Sequence, residues 1–519
     1  MELEKWQHNG IRLKVGDFLE LKPARGPTKH DRISDFLHVH YILRNVASNE
    51  IMLRGLKLKR TFKAGTLPKK VNELYLEIRV CEDNDYSPYE QNLVDVPVDQ
   101  TVKKRKVNVT NSQHPHATFR DDPIPWPIDR DHPEALMTAV RSFELGCRWI
   151  SISYYRNTRD MRDNRSRLTV LRMFREDEVD PAYAVSEAEQ QEHSTPFQYL
   201  REQHRQTGRY TIIDAFCGAG GISVGARQAG LKPTHAFDLD AAAIRTYELN
   251  QDEMHVYTLD VYDFIEYARR NDLTCDVLHI SPPCLAWSRA NRQGGQNYEA
   301  NQALIKCIDS LVKVLRPRLV TLEEAEWLVR YHRAWWRGVV KDLTDLHYST
   351  TWKILNCCNY DDPQNRERVI LFASAPGMLL PEVPAATHGP AGSGLRPFVT
   401  IRDALAKLAR HSEASHNSTR GPLAPKARTN QPYNADRLAW CITTGGSDGR
   451  EGTYHPSGTR DFTLRELAML QGFPPNFAFA NGLNKTQVRK QIGNAVPPPL
   501  AKAIFRACRE ALESADAAV

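Results

Sequence analysis

The stretch RYTIIDAFCGAGGISVGARQAG (209–230) decides the fold class of this 519-residue chain. TIIDAF (211–216) reads as a short apolar strand and GISVGARQAG (221–230) as the helix after it, stopped by Gly230. The glycines between them sit where a backbone can approach a ligand closely. The same rhythm continues outward. THAFD (234–238) is a second strand with AAAIRTYELN (241–250) as its helix, and DVLHIS (276–281) and RLVTLEE (318–324) are further strands. ALIKCIDSLVKVL (303–315) puts Leu304, Ile308, Leu311, Val312 and Leu315 on one helical stripe. STTWKIL (349–355) and RVILFAS (368–374) close the set, and a last helical segment runs from about 498 to 513. This alternation predicts an α/β fold with a doubly wound, mostly parallel sheet.

The chain is too long for one core, so two or three domains are expected. Residues 1–120 look β-rich through VGDFLELK, FLHVHYIL and ELYLEIRV. They are locally basic at Lys57, Lys59, Arg60, Lys63 and the run KKRK (103–106), which reads first as a solvated face. A Pro-rich hinge, DDPIPWPIDRDHP, opens a mixed segment 121–207; 208–375 and 461–519 carry the α/β core; 376–460 dissolves into an irregular insert. No apolar run is long enough to span a bilayer and MELEKWQHNG is not a signal peptide, so an intracellular chain is expected. Ten cysteines without a CxxC pair exclude the usual zinc-finger spacing, and no metal is expected. A net charge of +6 permits a nucleic-acid partner without demanding one.

Ligands of open α/β sheets bind beyond the carboxyl ends of the strands, so what each strand delivers there matters. The first ends in Asp214, Phe216, Gly218, Gly220 and Gly221; the second in Asp238 and Leu239; Asp260 follows VYTL. Together they suggest an adenosine-bearing cofactor, although Asp260 reads equally as a surface turn residue. The next strand ends in Ser281-Pro282-Pro283-Cys284, where two prolines stiffen the chain and aim a candidate nucleophile. The polar loop after it carries Arg289 and Arg292, suited to an anionic partner. Glu323 and Glu324 end the following strand and point to opposite faces, so one can serve as a general acid. Arg366 and Arg368 share a strand face, as a salt-bridged entrance or as planar recognition of a polar ring.

These residues resemble the DNA (cytosine-5) methyltransferases, over roughly 209–513. Asp214-x-Phe216-x-Gly218-x-Gly220-Gly221 is similar to the S-adenosyl-L-methionine loop, Pro283-Cys284 to the nucleophile motif, Glu323 to the start of Glu-Asn-Val, and Gln364-x-Arg366-x-Arg368 to Gln-x-Arg-x-Arg. RELAMLQGFP (465–474) and GNAVPPPLA (493–501) are similar to the two closing motifs. Residues 1–120, and 121–207 as a second or accessory segment, are loosely similar to bromo-adjacent homology (BAH) domains, and the whole most resembles the fungal RID-type (RIP-defective) group. Two positions depart from the family pattern: Glu324 stands for the Asn that helps fix the Pro-Cys loop, and Leu285 for a Gln near the base.

The resemblance implies a Rossmann-like class I S-adenosyl-L-methionine-dependent methyltransferase domain with 376–460 as target-recognition region. It implies transfer to C5 of a flipped-out cytosine, with S-adenosyl-L-homocysteine as product. Cys284 would attack C6, Glu323 serve N3, and Arg366 and Arg368 hold the O2 edge and the nucleophile loop. Phe216 would stack on adenine, Asp238 take the ribose hydroxyls, Asp260 the adenine amino group, and Leu239, Pro282, Asn494 and Val496 complete the pocket. Double-stranded DNA is the implied partner, with Arg289, Arg292, Thr443 and Thr444 as candidate contacts; a turn around Gly445-Gly446 explains the two threonines nearly as well. The insert has ten Lys/Arg against six Asp/Glu, a net +4 suited to phosphates. A nuclear location, epigenetic silencing and a histone or chromatin partner for the N-terminal region follow from the same resemblance. Two alternatives stand beside it: an RNA cytosine-5 methyltransferase, to whose tRNA-modifying members Cys441-Ile442-Thr443 is faintly similar, and a catalytically weak chromatin-binding relative.

Overall fold

The computed structural model describes residues 1–23, 33–70, 72–113, 144–192, 196–251, 254–283, 307–410, 432–444, 446–447, 455–458 and 460–517. The chain divides into two compact units. One comprises Met1–Ser194, Arg337–Trp352 and Ala375–Gly377; the other comprises Thr195–Trp336, Lys353–Ser374 and Met378–Val519.

The second unit carries the α/β sheet. Its strands are β1 (Thr211–Ala215), β2 (Lys232–Asp238), β3 (His255–Thr258), β4 (Val277–Ile280), β5 (Leu319–Ala325) and β6 (Glu367–Ser374). They lie in the order β3-β2-β1-β4-β5-β6, the first five parallel and β6 antiparallel to β5. This is a doubly wound order with its switch point between β1 and β4. Every residue of β1, β4 and β5 is buried, as expected where helices cover both faces of a parallel sheet. Its helices include α1 (Gly221–Gln228), α2 (Ala241–Glu248), α3 (Val261–Arg270), α4 (Ile308–Leu315), α5 (Ile401–Arg410), α6 (Leu464–Leu470), α7 (Lys485–Asn494) and α8 (Pro498–Ala517). Leu304, placed on the α4 stripe by the sequence, lies outside the described residues.

Helix α8 crosses α1 closely because Gly225 has no side chain: a Cβ there would stand 2.4 Å from that of Ala501. The far end of α8 is pinned by charge. Fully buried Arg318 reaches Asp276 at 3.2 Å and Asp516 at 2.5 Å, while Arg201 and Tyr210 also bond to Asp516.

The region expected to be irregular contains a regular helix, α5. Thr400 and Asp403 cap it reciprocally, Thr400 N donating to Asp403 Oδ2 (2.9 Å) and Asp403 N to Thr400 Oγ1 (3.2 Å). Its buried Ile401 and Ala404 join Phe462, Leu467, Phe473, Phe477 and Ile492 in a second apolar core. Abundant Gly, Pro and Ser around it masked one short amphipathic period.

The first unit is mainly β. VGDFLELK, FLHVHYIL and ELYLEIRV become strands Phe18–Leu21, Phe36–Arg44 and Glu73–Cys81. Ile51–Arg60 pairs antiparallel with the last two, and Glu73–Cys81 runs parallel to Leu145–Tyr155. Three of the KKRK residues are matched by acids, Lys104 with Asp17, Arg105 with Glu20 and Lys106 with Glu144. STTWKIL (349–355) becomes a strand, Ser349–Asn356. Thr350, Thr351 and Trp352 pair antiparallel with Leu171, Val170 and Thr169 in the first unit. A β-rich pattern marks extended backbone but not its neighbour. Among the described residues no helix is long and apolar enough to cross a membrane.

Candidate active site

The switch point sets the site. Beyond β1 the chain passes Phe216, Gly218 and Gly220 with φ of +60°, +52° and +96°, then enters α1 at Gly221. This left-handed run turns the backbone tightly enough for α1 to begin over the strand end. Two glycines are required by space. A Cβ on Gly220 would stand 2.9 Å from the Tyr247 ring, and one on Gly221 2.4 Å from the carbonyl oxygen of Val496. Asp214 lies fully buried beneath this turn, where its Oδ2 accepts from Ser223 Oγ (2.7 Å) and Ser223 Oγ lies 2.5 Å from the Tyr247 hydroxyl. Burial pushes the Asp214 carboxyl up to about 7. Ser223 and Tyr247 lie on helix faces that read in sequence as ordinary core, so neither was singled out.

Asp238 ends β2 and ties the turn down, accepting from Gly218 N at 2.9 Å on Oδ2 and from Asp240 N at 2.8 Å on Oδ1. Burial raises its carboxyl and these two amides oppose the shift. Phe216 is half-buried with its ring 5.5 Å from that of Phe237, and Leu239 is exposed. Asp260 is exposed and caps α3 through Tyr262 N and Asp263 N. Asn494 is exposed at the end of α7, and Val496 is buried against Gly221.

The chain leaving β4 is held against β1: Ser281 N donates to Ala215 O (3.3 Å) and Ser281 Oγ to Phe216 O (3.4 Å). Pro282 is buried and Pro283 exposed. Cys284, Leu285, Arg289 and Arg292 lie outside the described residues.

On β5, both acidic side chains are buried, Glu323 at 7% and Glu324 at 1% exposure. Arg368 on β6 sets its Nε 2.8 Å from Glu323 Oε1, an ion pair by distance that leaves this oxygen without an aligned hydrogen bond. Glu324 Oε2 accepts from Ala325 N (2.9 Å), and its carboxyl is raised well above the ordinary range by burial and by the charge of Glu323.

Arg366 does different work. Its Nη1 donates to Ile442 O (2.9 Å) and its Nη2 to Gly493 O (3.2 Å) and Ala495 O (3.3 Å). Gln364 Nε2 donates to Leu470 O (3.1 Å) and Gln471 Oε1 (3.0 Å), and Gln364 Oε1 accepts from Ile442 N (3.1 Å). Motifs far apart in sequence therefore meet in one buried polar hub. Thr443 and Thr444 lie beside it: a Cβ on Gly493 would stand 2.4 Å from Thr443 C and from Thr444 N. Glycine is needed there for close backbone approach, a role the sequence did not reveal.

The group suggested by the turn fits these residues. Two glycines keep side chains out of the cradle, and each Asp238 oxygen retains acceptor capacity beyond its one amide. Among the described residues no three His, Cys, Asp or Glu side chains gather as a metal site.

Residues 210–438 and 400–510 match the family described as C-5 cytosine-specific DNA methylase. The chain is 27% identical over 325 residues to the Type II methyltransferase M1.HphI of Haemophilus parahaemolyticus, covering 57% of this chain and 86% of that protein. It is 24% identical over 457 residues to DNA (cytosine-5)-methyltransferase 3 of Arabidopsis thaliana, covering 60% of this chain and 32% of that one. The solved structure of S. pombe Dnmt2 methyltransferase is similar with a TM-score of 0.43 at 17% identity, covering 59% of this chain and 99% of that chain. With more than half its length matched in this way, the chain belongs to the C-5 cytosine-specific DNA methylase family and is a DNA (cytosine-5)-methyltransferase.

Proposed function

We propose that the protein methylates C5 of a cytosine extruded from double-stranded DNA, with Cys284 as the nucleophile. One observation carries this reading: the glycine turn, the Pro-Pro elbow and Glu323 stand at the carboxyl ends of three adjacent parallel strands, β1, β4 and β5.

C5 of cytosine is a poor nucleophile until a group adds at C6. The Cys284 thiolate adds there, and the ring acquires enamine character at C5. Glu323 hydrogen-bonds or protonates N3 and so stabilises the charge that develops on attack. Arg368 holds Glu323 from the side and faces the O2 edge. Arg366 acts through the frame it clamps. S-adenosyl-L-methionine, when bound, supplies an electrophilic methyl group. Phe216, Asp238, Leu239, Asp260, Pro282, Asn494 and Val496 hold its adenosine part, over the turn built by Asp214, Gly218, Gly220 and Gly221. Water then takes the C5 proton and Cys284 is eliminated. A base inside a duplex is out of reach, so it must be flipped into the site. Arg289, Arg292, Thr443 and Thr444 contact the DNA, and the insert sets sequence choice.

The β-rich first unit is compatible with a BAH-like reading of the N-terminal region; a histone or chromatin partner, a nuclear location and the RID-type assignment are carried by the sequence resemblance alone, as parts of the same proposal. Methyl transfer to unmethylated duplex, hemimethylated duplex and tRNA, read at base resolution, tests it. Label on duplex cytosine is expected. Label on tRNA alone would replace DNA by RNA as substrate, and DNA binding without transfer would leave the chromatin-binding alternative.

A further inference from the structure

The first unit carries an open cavity that the methyl-transfer reading does not use. Its volume is about 220 Å³, and it lies between the stretch that begins at strand Val107–Val109 and the stretch Ala182–Val185. Strand Val107–Val109 pairs parallel with Leu145–Tyr155, Asn108 beside Gly146, so the backbone carrying Asn108 is fixed. Side chains tie the opposite wall to this one. Thr110 Oγ1 donates to Tyr183 O (2.6 Å), Asn111 Nδ2 donates to Val185 O (2.7 Å), and Val185 N donates to Asn111 Oδ1 (2.8 Å). Ala182 and Tyr183 are exposed and mark the mouth.

The two asparagines of this wall differ. Asn111 is fully buried and its whole amide is taken up by Val185. Asn108 is 6% exposed and lines the cavity, and its amide makes no hydrogen bond to any described residue. A carboxamide so deeply buried requires partners for its donor and acceptor groups. The cavity is the side from which they can come.

The lining sets the chemistry of the ligand. Besides Asn108 it comprises Thr110, Ser112, Ala182, Tyr183, Ala184 and Val185, with no charged side chain among them. Lys106 and Glu144, on the chain just before the two paired strands, neutralise one another at 2.5 Å. A charged group drawn into the cavity would lose its water and gain no countercharge, so the ligand is neutral. It must offer an acceptor to Asn108 Nδ2, as the Val185 carbonyl does to Asn111. It must also be slender enough to reach a side chain at this depth, with an apolar end to meet Ala184 and Val185. A secondary amide at the tip of a long side chain meets these conditions.

We propose that the cavity binds an acylated lysine of a partner protein, its acyl carbonyl accepting from Asn108 Nδ2 and its methyl end packing on Ala184 and Val185. Acylation removes the charge that keeps lysine itself out. The proposal rests on the protein partner proposed for the N-terminal region and gives the chemistry by which it is recognised; it does not depend on methyl transfer.

The test presents Nε-acetyl-lysine between randomised flanking residues on a peptide array, beside the same array with free lysine, and probes both with the full chain. Affinities for the strongest spots are then measured by fluorescence anisotropy with wild type, N108D and A184F, each with its melting temperature. N108D keeps the size of the side chain but sets a carboxylate against the acyl oxygen; A184F leaves Asn108 in place and fills the space. Wild type is expected to bind acetyl-lysine peptides about tenfold or more tightly than their free-lysine counterparts, and both variants to lose that preference. If N108D does not fold, A184F decides. Equal binding of both arrays by wild type, or a folded A184F that binds as wild type does, would overturn the proposal. Peptide binding needs neither DNA nor methyl donor. A chain that selects acetyl-lysine but transfers no methyl group therefore contradicts the functional reading alone, and one that methylates DNA without selecting acetyl-lysine contradicts this proposal alone.

Discussion

Arg368 and Glu323 form an ion pair of 2.8 Å between neighbouring antiparallel strands, with side-chain exposures of 11% and 9%. The register explains it: Arg368 lies beside Ala325, two residues along from Glu323 on the same face. The pair distinguishes the two carboxyls of β5, since Glu323 is held by a cation at the strand end and Glu324 is not.

Replacing Glu323 by Gln should therefore lower methyl transfer by about 10²-fold or more, in the range of a lost acid-base group. Glu324→Gln should stay close to wild type at neutral pH. Initial rates on one DNA duplex decide between them, and equal losses would mean that the acting carboxyl is wrongly assigned.

Arg366 should matter through stability. Its guanidinium bonds to the carbonyls of Ile442, Gly493 and Ala495, all buried with it. Arg366→Ala strands those acceptors, so a loss of about 2–5 kcal/mol is expected from a broken buried network. Urea denaturation measures it. An unchanged midpoint would show that the hub contributes little.

Gly220→Ala drives a methyl into the Tyr247 ring at a φ of +96°. The backbone preference alone is worth about 1–2 kcal/mol. The turn should shift, weakening binding of S-adenosyl-L-homocysteine in calorimetry well before the melting temperature reports global unfolding. Unaltered affinity would remove the turn from the cofactor site.

Asp214 makes stability depend on pH. Its carboxyl stands at about 7 when folded against an ordinary 3.8, so the folded chain binds the proton more tightly than the unfolded one. Its contribution is complete below pH 3.8, declines as pH rises, and is lost above about 7. Asp214→Asn keeps an acceptor for Ser223 and has no proton to lose. The stability of the variant relative to wild type should rise between these pH values by at most ~4 kcal/mol and then level off. A difference constant with pH would contradict this.

Much of the sheet was legible because its signals are local: five apolar runs of strand length, each ending in a charged, glycine-bearing or proline-bearing turn, became β1, β2, β4, β5 and β6. Alternation lets only one of two adjacent carboxyls face a given side, and the resemblance to the Glu-Asn-Val motif is what singles out Glu323. What stayed hidden depends on partners distant in sequence. Nothing near Arg366 says that it will bond to carbonyls at 442, 493 and 495, and nothing near Gly493 says that the backbone at 443–444 will press on it. STTWKIL is the strand it reads as, but its antiparallel pairing with Thr169–Leu171 also depends on residues distant in sequence.

The central claim rests on the sulfur of Cys284, carried beyond the Pro282-Pro283 elbow. A DNA duplex bearing 5-fluorocytosine cannot release its C5 substituent as a proton, so an adduct formed at C6 persists after methyl transfer. Wild-type protein with S-adenosyl-L-methionine is expected to give a denaturant-resistant protein–DNA complex, with Cys284→Ala giving none. A complex, or methylated cytosine, formed undiminished by Cys284→Ala would contradict the account.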